Sequence, residues 1–333
     1  VKDLSFTNVR MALGEPSLET RRALSAVLHQ KGFHDIIPAA SLETIVDSVT
    51  TDRADLIVCD AHIEGGDLYQ LVHDIRHGKI GSNPFLVIII LADQPDVELV
   101  KRLVDAGVDD ILTKPITAGK FADHIIHLSK HRKDFVVTVD YIGPDRRKDG
   151  PRPGTQVIPT IKVPNPLQDI TSGSNLNKIK HEIEDAKRKI NEQQVERLAY
   201  QACYLSDHLV SAYDSEPDKE VVPMITRLEA VTSELEEKLP LSSYAHARKP
   251  CSQLLDMAHR LHREPLNPKA ENVQRLSVLS QELHDLFVQI NPDAFPEKAH
   301  EGQDNQDDYD NSAPFDESIL SQEELFKRLN TME

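Results

Sequence analysis

Leu56-Ile57-Val58-Cys59-Asp60 is the stretch whose reading decides the fold. Four apolar residues end abruptly in a carboxylate. A short run that is apolar at successive positions, not alternate ones, reads as a strand buried on both faces of a parallel sheet. Its last residue then emerges at the carboxyl edge, where ligands sit in open α/β sheets. A charge beside a dry core is costly unless paired. Asp60 is therefore the first candidate for function.

The flanking sequence repeats the alternation. Residues 9–13 make a first strand, and Gly14-Glu15-Pro16 turns it into a helix with Pro16 near its start. Leu18, Leu24, Val27 and Leu28 supply that helix's apolar face. Residues 33–39 form a second strand, and Ser41 caps a second helix. After Asp60, Gly65-Gly66-Asp67 opens a third helix. Residues 85–91 form a fourth strand, residues 96–106 a helix stopped by Gly107, residues 110–112 a fifth strand and residues 118–131 a fifth helix. Five strands alternating with five helices imply a doubly wound, five-stranded parallel sheet over residues 1–133, an α/β fold.

Asp60 ends the third strand, Lys114-Pro115 follows the fifth, and Gly107-Val108-Asp109-Asp110 leads into it. This pattern resembles the receiver domain of two-component response regulators and covers residues 8–132. The resemblance implies that Asp60 is the phosphoacceptor, that Lys114 meets the acyl phosphate, and that the Lys114–Pro115 bond is cis. It also implies protein partners, a histidine kinase or a phosphotransfer protein. Departures from the family pattern matter as much. The acidic pair that holds Mg²⁺ is replaced by Leu13 and Gly14, with Glu15 one place further on. Mg²⁺ demands several well-placed oxygens, so Asp60 with Glu15 should hold it weakly, and no other cofactor is indicated. The hydroxyl switch after the fourth strand falls on Leu91 and the aromatic switch on Ile111, so both are lost. Two readings stay open: slow phosphorylation of Asp60 within a phosphorelay, or a pseudo-receiver scaffold that works without phosphotransfer.

Residues 134–173 break the rhythm. Residues 135–139 could add a strand, and Tyr141-Ile142-Gly143-Pro144-Asp145-Arg146-Arg147 resembles a signature found after receivers in some bacterial regulators. Arg146, Arg147 and Lys148 form a basic cluster suited to contacts with acidic groups. Pro151, Pro153, Pro159, Pro164 and Pro166 argue against regular helix here. Ile158, Ile161, Val163 and Leu167 favour an ordered strap over a free linker.

From residue 174 to 291 the period is helical. Ile179, Ile183, Ala186 and Ile190, followed by Leu198, Ala202, Leu205, Leu209 and Ala212, trace one stripe along a helix of nearly 40 residues, interrupted by Gln193 and Gln194. Three shorter amphipathic helices complete a bundle, and the overlong first helix suits either an arm or a dimer stalk, the latter implying a homodimer. His246-Ala247-Arg248-Lys249-Pro250 has a faint likeness to a histidine phosphotransfer motif, which gives a third reading. No enzymatic output is recognisable. His124, His127 and His131 share one stripe of the fifth helix without a carboxylate or cysteine to complete a ligand set.

The net charge of −17 is uneven: residues 291–333 hold twelve acidic groups against three basic ones. Neither folded region has the basic excess of a nucleic-acid reader. No apolar run approaches the length of a membrane helix, and no signal peptide is expected. Three distant cysteines suit free thiols in a reducing cytoplasm. Residues 292–333 read as an acidic, mostly disordered tail. Within it Ser321 and Glu324 form a capping box ahead of Leu325, Phe326 and Leu329, a short helix that is marginal alone and suited to folding onto a groove.

Overall fold

A computed structural model describes residues 5–146, 159–174, 176–215 and 219–295. The chain divides into two compact units, with the boundary between Lys187 and Arg188.

In the first unit, five strands form one parallel sheet in the order β2-β1-β3-β4-β5. They are β1 (Arg10–Gly14), β2 (Asp35–Ala39), β3 (Leu56–Asp60), β4 (Val87–Asp93) and β5 (Asp110–Lys114). Helices α1 (Leu18–Gln30), α2 (Leu42–Thr50), α3 (Leu68–Arg76), α4 (Val97–Ala106) and α5 (Ala118–Lys130) connect and follow them. β3 is buried at all five positions, as a central strand with a helical layer on each face must be. Its residues alternate between two cores. Ile57 and Cys59 pack with Ile88, Ile90 and the inner faces of α2, α3 and α4. Leu56 and Val58 pack with Val87, Ile89, Leu91 and the inner faces of α1 and α5.

The structure corrects two local expectations. Ser17, directly after Pro16, caps α1: its hydroxyl accepts the Thr20 N–H. Leu18 is 52% exposed, and only Leu28 on this helix is fully buried, with Leu24 partly so. The cap placed at Ser41 is a cap by position only, because its side chain bonds no helical N–H.

The described parts of the connector are ordered. β6 (Phe135–Val137), β7 (Ile142–Pro144) and β8 (Thr160–Ile161) form a small antiparallel sheet, with β6 central. Ile161, Val163 and Leu167 are buried, while Ile158, Arg147, Lys148, Pro151 and Pro153 lie outside the described residues. Proline does not exclude helix throughout. Pro166 opens α6 (Pro166–Ser172) at a position where its missing N–H has no partner to lose. Asn165 caps that helix and donates through its amide to the Leu128 and Ser129 carbonyls, at 2.8 and 3.2 Å.

A buried ion cluster holds the strap to the sheet. Asp109 accepts from Arg76 Nη2 at 2.8 Å, from Arg132 Nε at 2.9 Å and from the Ile88 N–H at 2.9 Å. The two guanidiniums also donate to the Pro84, Phe85, Leu86, Gly107 and Pro164 carbonyls. Burial pushes the Arg76 pKa down to about 10 although Asp109 pulls it the other way. Both guanidiniums sit over the Phe135 ring, at 5.3 and 5.1 Å.

In the second unit, α7 (Leu176–Asp214), whose first turns belong to the first unit, is followed by α8 (Val221–Lys238), α9 (Arg248–Arg263) and α10 (Ala270–Ile290). Val195, Leu198 and Ala202 of α7 are fully buried, as are Leu228 and Leu235 of α8, Leu254 and Leu261 of α9, and Leu283 and Phe287 of α10. Tyr244 stacks on Phe287 with ring centroids 4.1 Å apart, and its hydroxyl donates to Glu196 at 2.6 Å. No described helix is long and apolar enough to cross a membrane.

Candidate phosphoacceptor site

Three strands deliver the site from their carboxyl ends. Asp60 closes β3, Lys114 closes β5, and Glu15 is the residue after β1. The Lys114 ammonium donates to Asp60 Oδ2 and to Glu15 Oε2, the latter at 2.6 Å. The remaining carboxylate oxygens are taken by backbone. Asp60 Oδ1 accepts the His62 N–H at 2.7 Å and Glu15 Oε1 accepts the Ser17 N–H at 3.0 Å. Asp60 is 7% exposed and Glu15 4%. Burial alone would lower the Lys114 pKa, but its bonds to Asp60 and Glu15 outweigh burial and leave it raised. One fixed cation thus bridges two nearly buried carboxylates, which is how a buried charge escapes its desolvation penalty. The Lys114–Pro115 peptide is cis.

Glu15 therefore enters the site, whereas the sequence placed it only near a position left by Leu13 and Gly14. The reason is the chain's turn after β1. Ser17 caps α1 and its N–H draws the Glu15 carboxylate inward. Leu13 is fully buried in the α1/α5 core, beside Val58 and Leu91. Gly14 is held small by its neighbours: a Cβ there would lie 2.8 Å from Cys59 Sγ and 2.9 Å from Ile63 Cδ1. An acidic side chain cannot simply be put back. Among the described residues there is no group of three or more His, Cys, Asp or Glu side chains placed to hold a metal ion. Asp60 and Glu15 are the residues that could offer oxygens to one, and Lys114 already occupies both.

The β4 edge carries no side-chain donor. Leu91 pairs with Asp60 across β3 and β4 and is buried, and the next residue, Ala92, is buried in the opposite core. Ile111 packs under α4 with Val100, Leu103 and Val104, so it is a core residue with no aromatic ring to swing. Arg146 turns inward, donating to the Val108 and Asp109 carbonyls at 2.8 and 2.9 Å. On the α5 histidine stripe, His124 Nδ1 lies 2.9 Å from Asp110, and the His127 and His131 rings are tilted to each other with centroids 5.0 Å apart. His246 sits on a short 3-10 turn ahead of α9, with Pro250 buried in the first turn of that helix. It is not on the face of a bundle helix, as a phosphotransfer histidine would need to be.

Sequence reasoning did not find Arg76, Arg132 or the way the Tyr141 segment docks. The available signal was an arginine within an apolar helix face, four residues after Val72. Tyr141 is 2% exposed, and its hydroxyl donates to the Pro144 carbonyl at 2.9 Å. Gly143 and Gly107 approach so closely that a Cβ on Gly143 would meet Gly107 Cα at 2.9 Å. The Tyr-Ile-Gly-Pro signature is thus a packing motif against the turn before β5.

Comparison with known proteins adds the following. Over 129 residues the chain is 26% identical to a cyclic di-GMP phosphodiesterase of Thermotoga maritima, an alignment covering 39% of this chain and 33% of that protein. The chain thus spans about a third of that relative's length. The receiver domain of a sensor histidine kinase from Pseudomonas aeruginosa, solved with magnesium in its active-site cleft, is 22% identical, with 36% of this chain and 94% of that one covered and a TM-score of 0.32. A signal receiver domain of a DNA-binding response regulator from Colwellia psychrerythraea is 18% identical, with 37% and 100% covered and a TM-score of 0.34. The family model described as the response regulator receiver domain matches residues 15–126. The matched segment, which holds strands β2 to β5 together with Asp60 and Lys114, is a response regulator receiver domain.

Proposed function

We propose that this chain is a phosphorelay-type signalling protein in which Asp60 accepts a phosphoryl group and the output is a protein–protein contact. The observation that carries this reading is the Asp60–Lys114 ion pair at the carboxyl edge of the sheet. A carboxylate attacking a phosphorylated histidine of a partner kinase or phosphotransfer protein must have its product's charge neutralised, and that electrostatic stabilisation dominates phosphoryl transfer. Lys114 supplies one positive charge. Mg²⁺, if it binds through Asp60 and Glu15, is held weakly, because it has two protein oxygens to share with Lys114. The Glu15 carboxylate stands beside the position of the new phosphate and repels it. Transfer to Asp60 is therefore slow in this reading.

The pseudo-receiver reading is favoured by the same Glu15, whose bond to Lys114 fills the place where a phosphate oxygen would bind. Acetyl phosphate followed by intact-mass measurement separates the two. A phosphoryl mass gained by the wild type and not by Asp60→Asn supports the first reading, and no gain supports the scaffold. The output belongs to the helical unit, through protein contacts. The aligned part of the phosphodiesterase amounts in length to the receiver unit alone, so its activity is not carried over to this chain. Cyclic di-GMP hydrolysis by the full chain would overturn that. As part of the same proposal the protein works in a reducing compartment, consistent with Cys59, Cys203 and Cys251 being free and buried.

A further inference from the structure

Glu15 joins the buried site to the start of α1. Its Oε2 accepts from the Lys114 ammonium at 2.6 Å, and its Oε1 accepts the Ser17 N–H at 3.0 Å. Its backbone carbonyl accepts from Arg21 Nη1, which also reaches the Pro16 carbonyl at 3.3 Å. The Arg21 guanidinium is thus anchored on the backbone of the residue whose carboxylate is buried with Lys114. Among the described residues, Arg21 forms no ion pair, and its Nε and Nη2 make no hydrogen bond. A half-buried cation stands next to Glu15 with one whole edge unused.

We infer that Glu15 is a two-position switch: it pairs with Lys114 while Asp60 is unphosphorylated and moves to Arg21 when Asp60 carries a phosphoryl group. The inference rests on the phosphoacceptor reading above. In the transfer, the donor's bond to phosphorus breaks, a bond from phosphorus to an Asp60 carboxylate oxygen forms, and the donor leaves with the electron pair. The single charge of Asp60 becomes about two, on three acceptor oxygens. Lys114 already spends two of its three donors on Asp60 and Glu15. With Glu15 kept in place, the excess negative charge would rise from about one to about two in a site shielded from water, where unpaired charge is costly. Asp60 and Glu15 are both less than a tenth exposed. Turning the Glu15 carboxylate outward restores the balance, and the Nε and Nη2 edge of Arg21 offers it a bidentate partner.

The rest of the site leaves this as the route by which phosphorylation is felt. Leu91 and Ile111 are packed in the two cores and offer a phosphate neither a donor nor a ring to move. Glu15 has two places to go, which is what a switch element requires. When it leaves, the Ser17 N–H loses its acceptor. Ser17 caps α1 through its hydroxyl, so the change at Asp60 reaches the first turn of α1, beside the exposed Leu18.

The test uses the full chain held in excess acetyl phosphate, with intact mass recording the phosphoryl group. Hydrogen exchange of the Ser17 amide should be about tenfold faster in the phosphorylated wild type than in the untreated one, as loss of one hydrogen bond to a charged group allows. Glu15→Ala should show the fast exchange with or without acetyl phosphate. Arg21→Gln should gain the phosphoryl group about threefold more slowly than wild type, because the displaced carboxylate has lost its partner, and in the Glu15→Ala background the same substitution should change nothing. No phosphoryl mass on the wild type would remove the phosphoacceptor reading and the switch with it. A phosphoryl mass with unchanged Ser17 exchange, or an Arg21→Gln effect that survives in Glu15→Ala, would overturn the switch and leave that reading standing.

Discussion

Replacing Gly143 with alanine tests whether the strap is part of the receiver's structure. The new Cβ would stand 2.5 Å from Tyr141 Oη, 2.7 Å from Tyr141 Cζ and 2.9 Å from Gly107 Cα. Tyr141 is buried and the Gly107 atom is backbone, so neither gives way freely. The molecule has two ways out. It can keep the strap docked and absorb the overlap, which costs about 1–3 kcal/mol for an overpacked core. Or it can lift β7 from the turn and lose the two Arg146 bonds to the Val108 and Asp109 carbonyls, at about 1.5–3 kcal/mol for each bond to a charged group. The cheaper route wins, so the loss is about 1–3 kcal/mol. For a unit of this size that lowers Tm by about 2–12 °C. Scanning calorimetry of the full chain reads it directly. Gly119→Ala is the control: nothing lies within 4 Å of a Cβ there, and it should leave Tm unchanged or slightly higher. A Gly143→Ala protein that unfolds with the wild type would refute the packing of the strap against the Gly107 turn.

Asp109→Asn should be more damaging, about 3–5 kcal/mol, because it leaves two buried guanidiniums without their counter-charge; urea unfolding gives the number. Burial raises the Asp109 pKa, but Arg132 and Arg76 lower it further, so its folded value is depressed. The stability it contributes is present above the ordinary carboxylate value and is lost as pH falls through the folded one. The gap between wild type and Asp109→Asn should therefore narrow below about pH 4. Lys114→Ala leaves Asp60 and Glu15 facing each other without a cation. Discounted for the 23% exposure of the lysine side chain, the loss is about 1–3 kcal/mol near neutral pH. Glu15→Gln removes the like charge beside Asp60 and should speed its phosphorylation by about tenfold, as relief of roughly 1.4 kcal/mol would. An unchanged or slower rate would mean that Glu15 does not oppose the phosphate.

The sheet was legible because β3 and β4 are apolar without alternation and the turns carry glycine and proline at the right places. Asp60 and Lys114 were legible because a family pattern fixes them at strand ends. Glu15 was not, since its arrival in the site depends on the α1 cap at Ser17, a hydrogen bond with no signature in residue spacing. Arg76 escaped notice because it sits at the end of an amphipathic helix, where arginine normally faces water. Only its pairing with Asp109, 33 residues away, accounts for its burial. The strap's aliphatics announced an ordered segment, yet a three-stranded antiparallel sheet built from strands of two or three residues leaves no periodicity to read. On α7 the isoleucine and leucine stripes merge in sequence, because a polar interruption of two residues hides a change of face of about a third of a turn.

The central claim is that Asp60 accepts a phosphoryl group with Lys114, not a divalent metal, as its main counter-charge. The most direct measurement is the rate of Asp60 phosphorylation by acetyl phosphate, followed by intact mass with Asp60→Asn as the blank, in Mg²⁺ and in chelator. The account predicts a slow gain of one phosphoryl group that depends on Asp60 and Lys114 and proceeds at similar rates in both solutions. No Asp60-dependent gain, or a gain abolished by the chelator, would contradict it.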